Sequence, residues 1–538
     1  MVSEVGKAPR SVSVKNASKT YLVGLEAQFA SKKWRTPVRS PRTPLIALAA
    51  AATLALPGLP GAAATTTTMP PGLQMLILEQ KRSLGHGTLA HLLDTGDTLV
   101  AVRAALALGR TKQPAAAPVL LNHVADSRPA VRALSLFALG LLADGRGLPA
   151  MLHGMHDRNS AVRVGALDAL DREVMAAQVP GALLPQVAGA EMHAALHDTN
   201  AIVRSIAAID LVGLATGPEA PQATAVLLKV FSSDHSIAVR RAAMWAIFRG
   251  YAAKVPRRIL VRALASRDSV VRIEAVRAIG GSKDPALLSA LAPMLHDRSW
   301  RVQEQAAESI LALKGRPATQ HWKKIPAWVH LPPIHPSPLD KLPALPRPAQ
   351  PRLPAPPNPS AIAPTLSLDP TTAAEMVGPA PGAHPRVRIV TTQGNIYLEL
   401  FPEWAPLTVE NFLNVAARGY YDNQPWFRIV PDFVVQTGDP SANAPGLGYT
   451  IGAEENPMLQ RSDILSMGLD YPNGKPARDS ASTEYYITLS PQYHLDRDFT
   501  VFGRVIAGSA VLAHLTEADR VIRIDRIADV EIKATPPR

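Results

Sequence analysis

The chain has 538 residues, too many for one hydrophobic core, so several domains are expected. Lys and Arg exceed Asp and Glu by 12, but residues 1–64 hold +7 of the excess and residues 386–538 carry −5, so nucleic acid is not an expected partner. There is no cysteine, which excludes disulfides, thiolate metal sites and a cysteine nucleophile.

Near the N-terminus, Lys32, Lys33, Arg35, Arg39 and Arg42 precede the apolar run LIALAAAATLAL, residues 45–56, and then Ala62-Ala63-Ala64. Basic, apolar and small segments in that order form a secretory signal, and the run is short for a membrane span. The expectation is an exported protein of bacterial type, periplasmic or secreted, with no stable membrane span after processing. An uncleaved anchor is the alternative. Residues 1–64 are thus a signal sequence with an extended basic region, and 65–72 a short linker.

Residues 73–315 repeat a block: an Asp, a short polar turn, Val-Arg, and an Ala/Leu-rich stripe. The Val-Arg pairs fall at Val102-Arg103, Val131-Arg132, Val162-Arg163, Val203-Arg204, Val239-Arg240 and Val271-Arg272, and a seventh copy reads Val302-Gln303. Asp97, Asp126, Asp157, Asp198 and Asp234 each lie six positions before their Arg, and Asp297 keeps that spacing from Gln303. A stripe that puts Val131, Leu134 and Ala138 on one face cannot be buried by a lone hairpin, so neighbouring copies must stack. The Asp is expected at the helix N-cap, where its carboxylate meets free backbone N–H groups. The array resembles HEAT-type repeats, particularly the short bacterial kind. That implies an α-solenoid, with a possible protein partner on its surface.

Between Pro317 and Pro385 stand 19 prolines in 69 residues. Proline lacks the N–H that helices and ladders need, so 316–384 is expected to be an extended linker, with Trp322 and Trp328 near its start available to pack back on the last repeat. From 385 to 538 the pattern changes to short strands. RVRIVTTQGNIYLELF reads as a hairpin turning at Gln393-Gly394, and PLTVENFLNVAARG as a helix ending at Gly419. Further strands are expected near 426–437, 484–489 and 500–506, with a second helix near 509–516. A mostly-β closed barrel with two helices follows.

Within that region, YYDNQPWFRIVPDFVVQTGDP (420–440), DILSMG and TEYYITLSPQYHLDRDFTVFGRV (483–505) occur in an order that resembles the cyclophilin-type peptidyl-prolyl cis/trans isomerases. The resemblance implies an enzyme, acting on proline-containing polypeptide clients without cofactor or metal. Isomerisation needs no covalent step. A site must grip the proline ring in an apolar pocket and place a donor near the prolyl nitrogen, which favours the twisted transition state. Arginine suits that task because it stays charged and its fork also reaches a carbonyl. By resemblance Arg428 is that arginine and Gln436 orients it, while Phe433, Val434, Tyr486, Leu495 and Phe499 wall the proline pocket. Glu484 stands where the family usually has glutamine, so its carboxylate is expected either to divert Arg428 or to hold it. His494 stands where cyclosporin-sensitive members have tryptophan. The loop 468–482 is longer than the family pattern.

The expected function is an exported folding factor whose repeats recruit clients or a partner. The alternative is a non-catalytic scaffold that binds proline segments through a vestigial site. His193 and His197, spaced like helix-borne metal ligands beside Glu191, lack a third ligand and read as a solvated face. If the leader is removed, N-terminal sequencing of the mature protein should find a start close to Thr65.

Overall fold

The computed structural model describes residues 71–315, 331–347, 384–438, 449–472 and 475–528. Each repeat contributes one helix that begins just after its Asp turn: α1 Thr98–Arg110, α2 Pro129–Leu142, α3 Ser160–Met175, α4 Ala201–Asp210, α5 Ile237–Ala246, α6 Ser269–Gly281 and α7 Trp300–Leu313. Consecutive members of this set pack against each other, with Thr88–Thr95, Leu184–His197, Ala220–Ser233, Arg257–Leu264 and shorter helices as their hairpin partners. One apolar core runs through the stack from Met75 to Ala306. Small residues let the helices approach closely: a Cβ on Gly140 would lie 2.5 Å from the Ala169 Cα.

The recurrent Asp residues correct the sequence expectation. Asp97 and Asp268 do cap α1 and α6. Asp157, Asp198, Asp234 and Asp297 instead lie two residues before the caps Asn159, Asn200, Ser236 and Ser299, accepting the cap's own backbone N–H at 2.7–2.8 Å. Their carboxylates are needed elsewhere, because each also takes both prongs of the arginine fork from the preceding copy. Arg132 reaches Asp157 at 2.9 and 3.0 Å, Arg163 reaches Asp198 at 2.6 and 2.7 Å, and Arg272 reaches Asp297 at 2.8 and 2.7 Å. The third nitrogen of Arg132 and of Arg163 donates to the carbonyl of its own copy's Asp at 2.8 Å. One Asp thus orders its own turn and fixes the neighbour's arginine, a charge-assisted geometry that sets the stacking step.

The proline-rich stretch also differs from expectation. Its described part, 331–347, is docked on the barrel: Ala344 bridges Ile527, Leu339 packs with Tyr397, and Arg347 forks onto Asp422 at 2.8 and 3.0 Å. Trp322 and Trp328 lie outside the described residues.

The C-terminal region has strands β1 Arg386–Thr391, β2 Gly394–Leu400, β3 Gln424–Pro425, β4 Arg428–Val430, β5 Val434–Thr437, β6 Ile464–Met467, β7 Tyr485–Thr488, β8 Val501–Ala507 and β9 Arg520–Ile527, with helices α8 Pro406–Ala417 and α9 Ser509–His514. The sheet order is β3-β9-β1-β2-β8-β6-β7-β5-β4. Its two edge strands are neighbours in sequence, so the sheet curls until they meet, and the Thr437 hydroxyl donates to the Pro425 carbonyl across the seam at 2.8 Å.

Array and barrel share their interiors. Tyr493 of the barrel is buried in the array's core, and Leu76 of the array in the barrel's. Arg497 enters a nest of Asp168, Asp171 and Asp210, the last at 3.1 Å. Burial opposes its charge, but Asp210, Asp168 and Asp171 outweigh that and push its pKa up. Arg110 donates to the carbonyls of Glu455 and Trp404 at 2.9 and 2.6 Å. Arg277 pairs with Asp432 at 2.8 Å and with Glu274 at 3.1 Å.

Arg277 is one cation among several carboxyls. Burial pushes Glu274 up from 4.5 to about 7, and burial likewise pushes Glu308 to about 7, despite Arg277 in both cases. The unfolded chain releases these protons near 4.5 while the folded chain keeps them until about 7, so folding stability should fall as pH rises across that window, by about 1.4 kcal/mol per pH unit for each group. Denaturant midpoints of the full chain should therefore be higher at about pH 5.5 than at about pH 8, and Glu274→Gln should flatten the slope. Equal slopes for the two proteins would remove this account.

Candidate active site

Neighbouring strands bring the principal polar groups into one row. Arg428 on β4 is in register with Gln436 on β5, which is in register with Tyr486 on β7. The Arg428 Nη1 donates to Gln436 Oε1 at 3.1 Å, and Gln436 Nε2 donates to Glu484 Oε2 at 2.9 Å. A carboxylate can only accept, so Glu484 fixes which end of the Gln436 amide faces the guanidinium. The backbone at Gly468, just after β6, runs tightly past this pair: its N–H donates to the Glu484 carbonyl at 2.7 Å, and a Cβ there would lie 2.8 Å from the Glu484 Cβ.

Beside the row lies an apolar cluster of Val430, Phe433, Val434, Tyr486, Leu495 and Phe499. The Arg428 guanidinium sits over the Phe433 ring, 5.3 Å from its centre, and Phe499 meets Tyr486 edge-on at 5.6 Å. Burial pulls the Arg428 pKa down to about 10, which leaves it charged at neutral pH. The His494 ring is parallel to Phe433 at 5.5 Å. Burial, with Arg249, Arg277 and Arg428 around it, holds the imidazole well below its ordinary pKa and therefore neutral.

The sequence-derived positions Arg428, Gln436, Phe433, Val434, Tyr486, Leu495, Phe499, Glu484 and His494 all converge on this place. Others were not foreseen. Leu469 and Tyr471 from the long loop pack on the cluster, Tyr471 stacking on Phe499 at 6.3 Å. The loop's departure from the family pattern marked it as unusual without locating its side chains. Trp245 on the array stacks on His494 at 6.5 Å, a contact across about 250 residues that no local pattern announces. His193 and His197 lie elsewhere, on the array, with ring centres 5.0 Å apart.

Residues 386–535 match the family model of cyclophilin type peptidyl-prolyl cis-trans isomerases, and residues 257–323 match that of HEAT repeats. A peptidyl-prolyl cis-trans isomerase-like protein of Aspergillus niger is 39% identical over 131 residues, 23% of this chain and 77% of the relative. Peptidyl-prolyl cis-trans isomerases of Schizosaccharomyces pombe and Arabidopsis thaliana are each 38% identical, over 23% and 25% of this chain and 81% and 82% of theirs. The chain belongs to the cyclophilin-type isomerases.

The cyclophilin domain is a peptidyl-prolyl cis-trans isomerase, and the array before it carries HEAT repeats. An X–Pro amide rotates against a barrier of about 18–20 kcal/mol set by resonance, and a cation aimed at its nitrogen in a dry pocket weakens that resonance. The hydrogen bonds that run from Arg428 through Gln436 to Glu484 place Glu484 as a support for the arginine. Glu484→Gln would let the Gln436 amide turn either way, so kcat/KM should fall about threefold to tenfold, the scale of one lost hydrogen bond. A rise in activity would mean that the carboxylate diverts the guanidinium.

Proposed function

We propose that the protein is an exported prolyl isomerase that assists the folding of proline-containing clients, with Arg428 as the donor to the prolyl nitrogen. Gln436 orients the guanidinium and is placed to touch the substrate backbone, while Phe433, Val434, Tyr486, Leu495 and Phe499 grip the proline ring. The observation that carries this reading is the charged Arg428 held by Gln436 at 3.1 Å directly over the ring of Phe433. A proline gripped among these apolar side chains would bring its nitrogen to the guanidinium.

Export to the periplasm or the exterior is supported by the order of segments in residues 32–64, and cytoplasmic retention of the full-length chain would remove it. Recruitment of clients or a partner by the array is supported by its repeat architecture, which offers an extended surface.

Arg428→Ala tests the chemical core of the proposal. The arginine's contact strengthens in the transition state, as the nitrogen becomes a better acceptor. Its loss should lower kcat/KM by about a hundredfold, roughly 3 kcal/mol, as for one preorganised donor. Affinity for a proline peptide and the melting temperature should change far less. A variant with undiminished isomerisation would overturn the role given to Arg428.

A further inference from the structure

The repeat array touches the isomerase domain at the wall of its site. Trp245, at the end of α5, is buried, and its indole lies nearly parallel to the His494 imidazole, at 6.5 Å and 15°. The same imidazole lies nearly parallel to the Phe433 ring, at 5.5 Å and 18°. Phe433 in turn carries the Arg428 guanidinium at 5.3 Å. Indole, imidazole, phenyl and guanidinium thus form one continuous series of contacts, and its first member belongs to the array.

Three further contacts secure the same wall. Tyr493, next to His494, meets the Trp245 indole edge-on at 5.1 Å. Arg249, one turn beyond Trp245, lies 5.7 Å over the indole. Arg277 binds the Asp432 carboxylate at 2.8 Å and its carbonyl at 3.2 Å, one residue before Phe433. Asp432 has a φ of 53°, a conformation a non-glycine residue adopts only when its surroundings hold it there. The array therefore grips the backbone on one side of Phe433 and the ring stack on the other.

We propose that Trp245 is a positioning residue of the isomerase site, holding His494 against Phe433 so that the proline pocket keeps its shape only while the array is docked. The proposal rests on the assignment of Arg428 and Phe433 to that site. Parallel aromatic contacts confer orientation beyond simple burial. Without the indole, His494 can leave the face of Phe433, and the pocket loses a fixed wall that acts on bound substrate and transition state alike. Such uniform binding appears in KM and hardly in kcat.

The test uses the full-length chain and a short peptide containing an Ala-Pro bond. Trp245→Phe and Trp245→Leu both fill the space with apolar atoms, but only the phenylalanine can stack. Trp245→Leu should raise KM about threefold to tenfold, the worth of an aromatic pair, with kcat within about twofold. Trp245→Phe should restore the wild-type KM. Leu227→Ala, in the array core, should lower the melting temperature and leave KM unchanged. A wild-type KM in Trp245→Leu, equal KM in the two Trp245 variants, or a matching rise in Leu227→Ala would each overturn the proposal. Arg428→Ala, assayed alongside, separates the two layers. If it is fully active, the site assignment fails; if it is impaired while Trp245→Leu is normal, only the present inference fails.

Discussion

Arg497 is the contact on which the joint between the two domains depends. Its guanidinium is largely withdrawn from water into a nest of carboxyls on α3 and α4, a move that would be costly for an unpaired charge. Asp168 stays ionised because Arg172 and Arg497 outweigh its burial, while burial drives Asp210 and Asp171 the other way. The nest therefore sets one guanidinium against acids whose burial opposes their charge. Such a buried network is weak evidence of net stability but strong evidence of a defined geometry, since losing Arg497 would remove the cation that Asp168, Asp171 and Asp210 share. Arg497 stands two residues after Leu495 and two before Phe499, so the geometry it fixes is that of the pocket wall.

The nest can be built only because the array presents its acids at the right spacing. That spacing comes from the recurrent bond between an arginine and the Asp of the following copy, with the small residues at Gly109 and Gly140 setting how closely consecutive helices approach. A chain of similar ion pairs, each less than a fifth exposed, makes the step from copy to copy a matter of hydrogen-bond geometry in addition to apolar contact. Asp168, Asp210 and Trp245 lie on different copies, and they meet the isomerase domain together because those steps are fixed.

This division explains what could be read from the sequence. The repeats announce themselves because every copy solves the same burial problem, and the motifs around Arg428 and Gln436 do so because they sit on adjacent strands with short spacings. The role of the recurrent Asp was misplaced for a physical reason: an Asp near a helix start is normally worth most as a cap, and only its partner in the preceding copy, some 25 to 35 residues away, shows why it lies two positions earlier. Strand β6 escaped notice because all four residues are buried and no alternation marks it. Tyr471 and Trp245 were out of reach, since each arrives at the site through a fold or a loop path that local periodicity does not encode.

The arrangement around Arg428 shows how burial and charge are reconciled. Drying the site strengthens any donor aimed at a substrate, yet it also penalises the charge that makes the donor strong. Arginine tolerates this because its pKa, lowered to about 10, still lies well above neutrality. Lysine, with a lower starting value and a compact charge, would be far closer to losing its proton in the same place. The neighbouring imidazole resolves the remaining conflict. Three guanidiniums surround His494, and a protonated ring there would repel all of them. Kept neutral, it packs beside Phe433 and Trp245 as a flat, uncharged ring and adds no further positive charge next to Arg428.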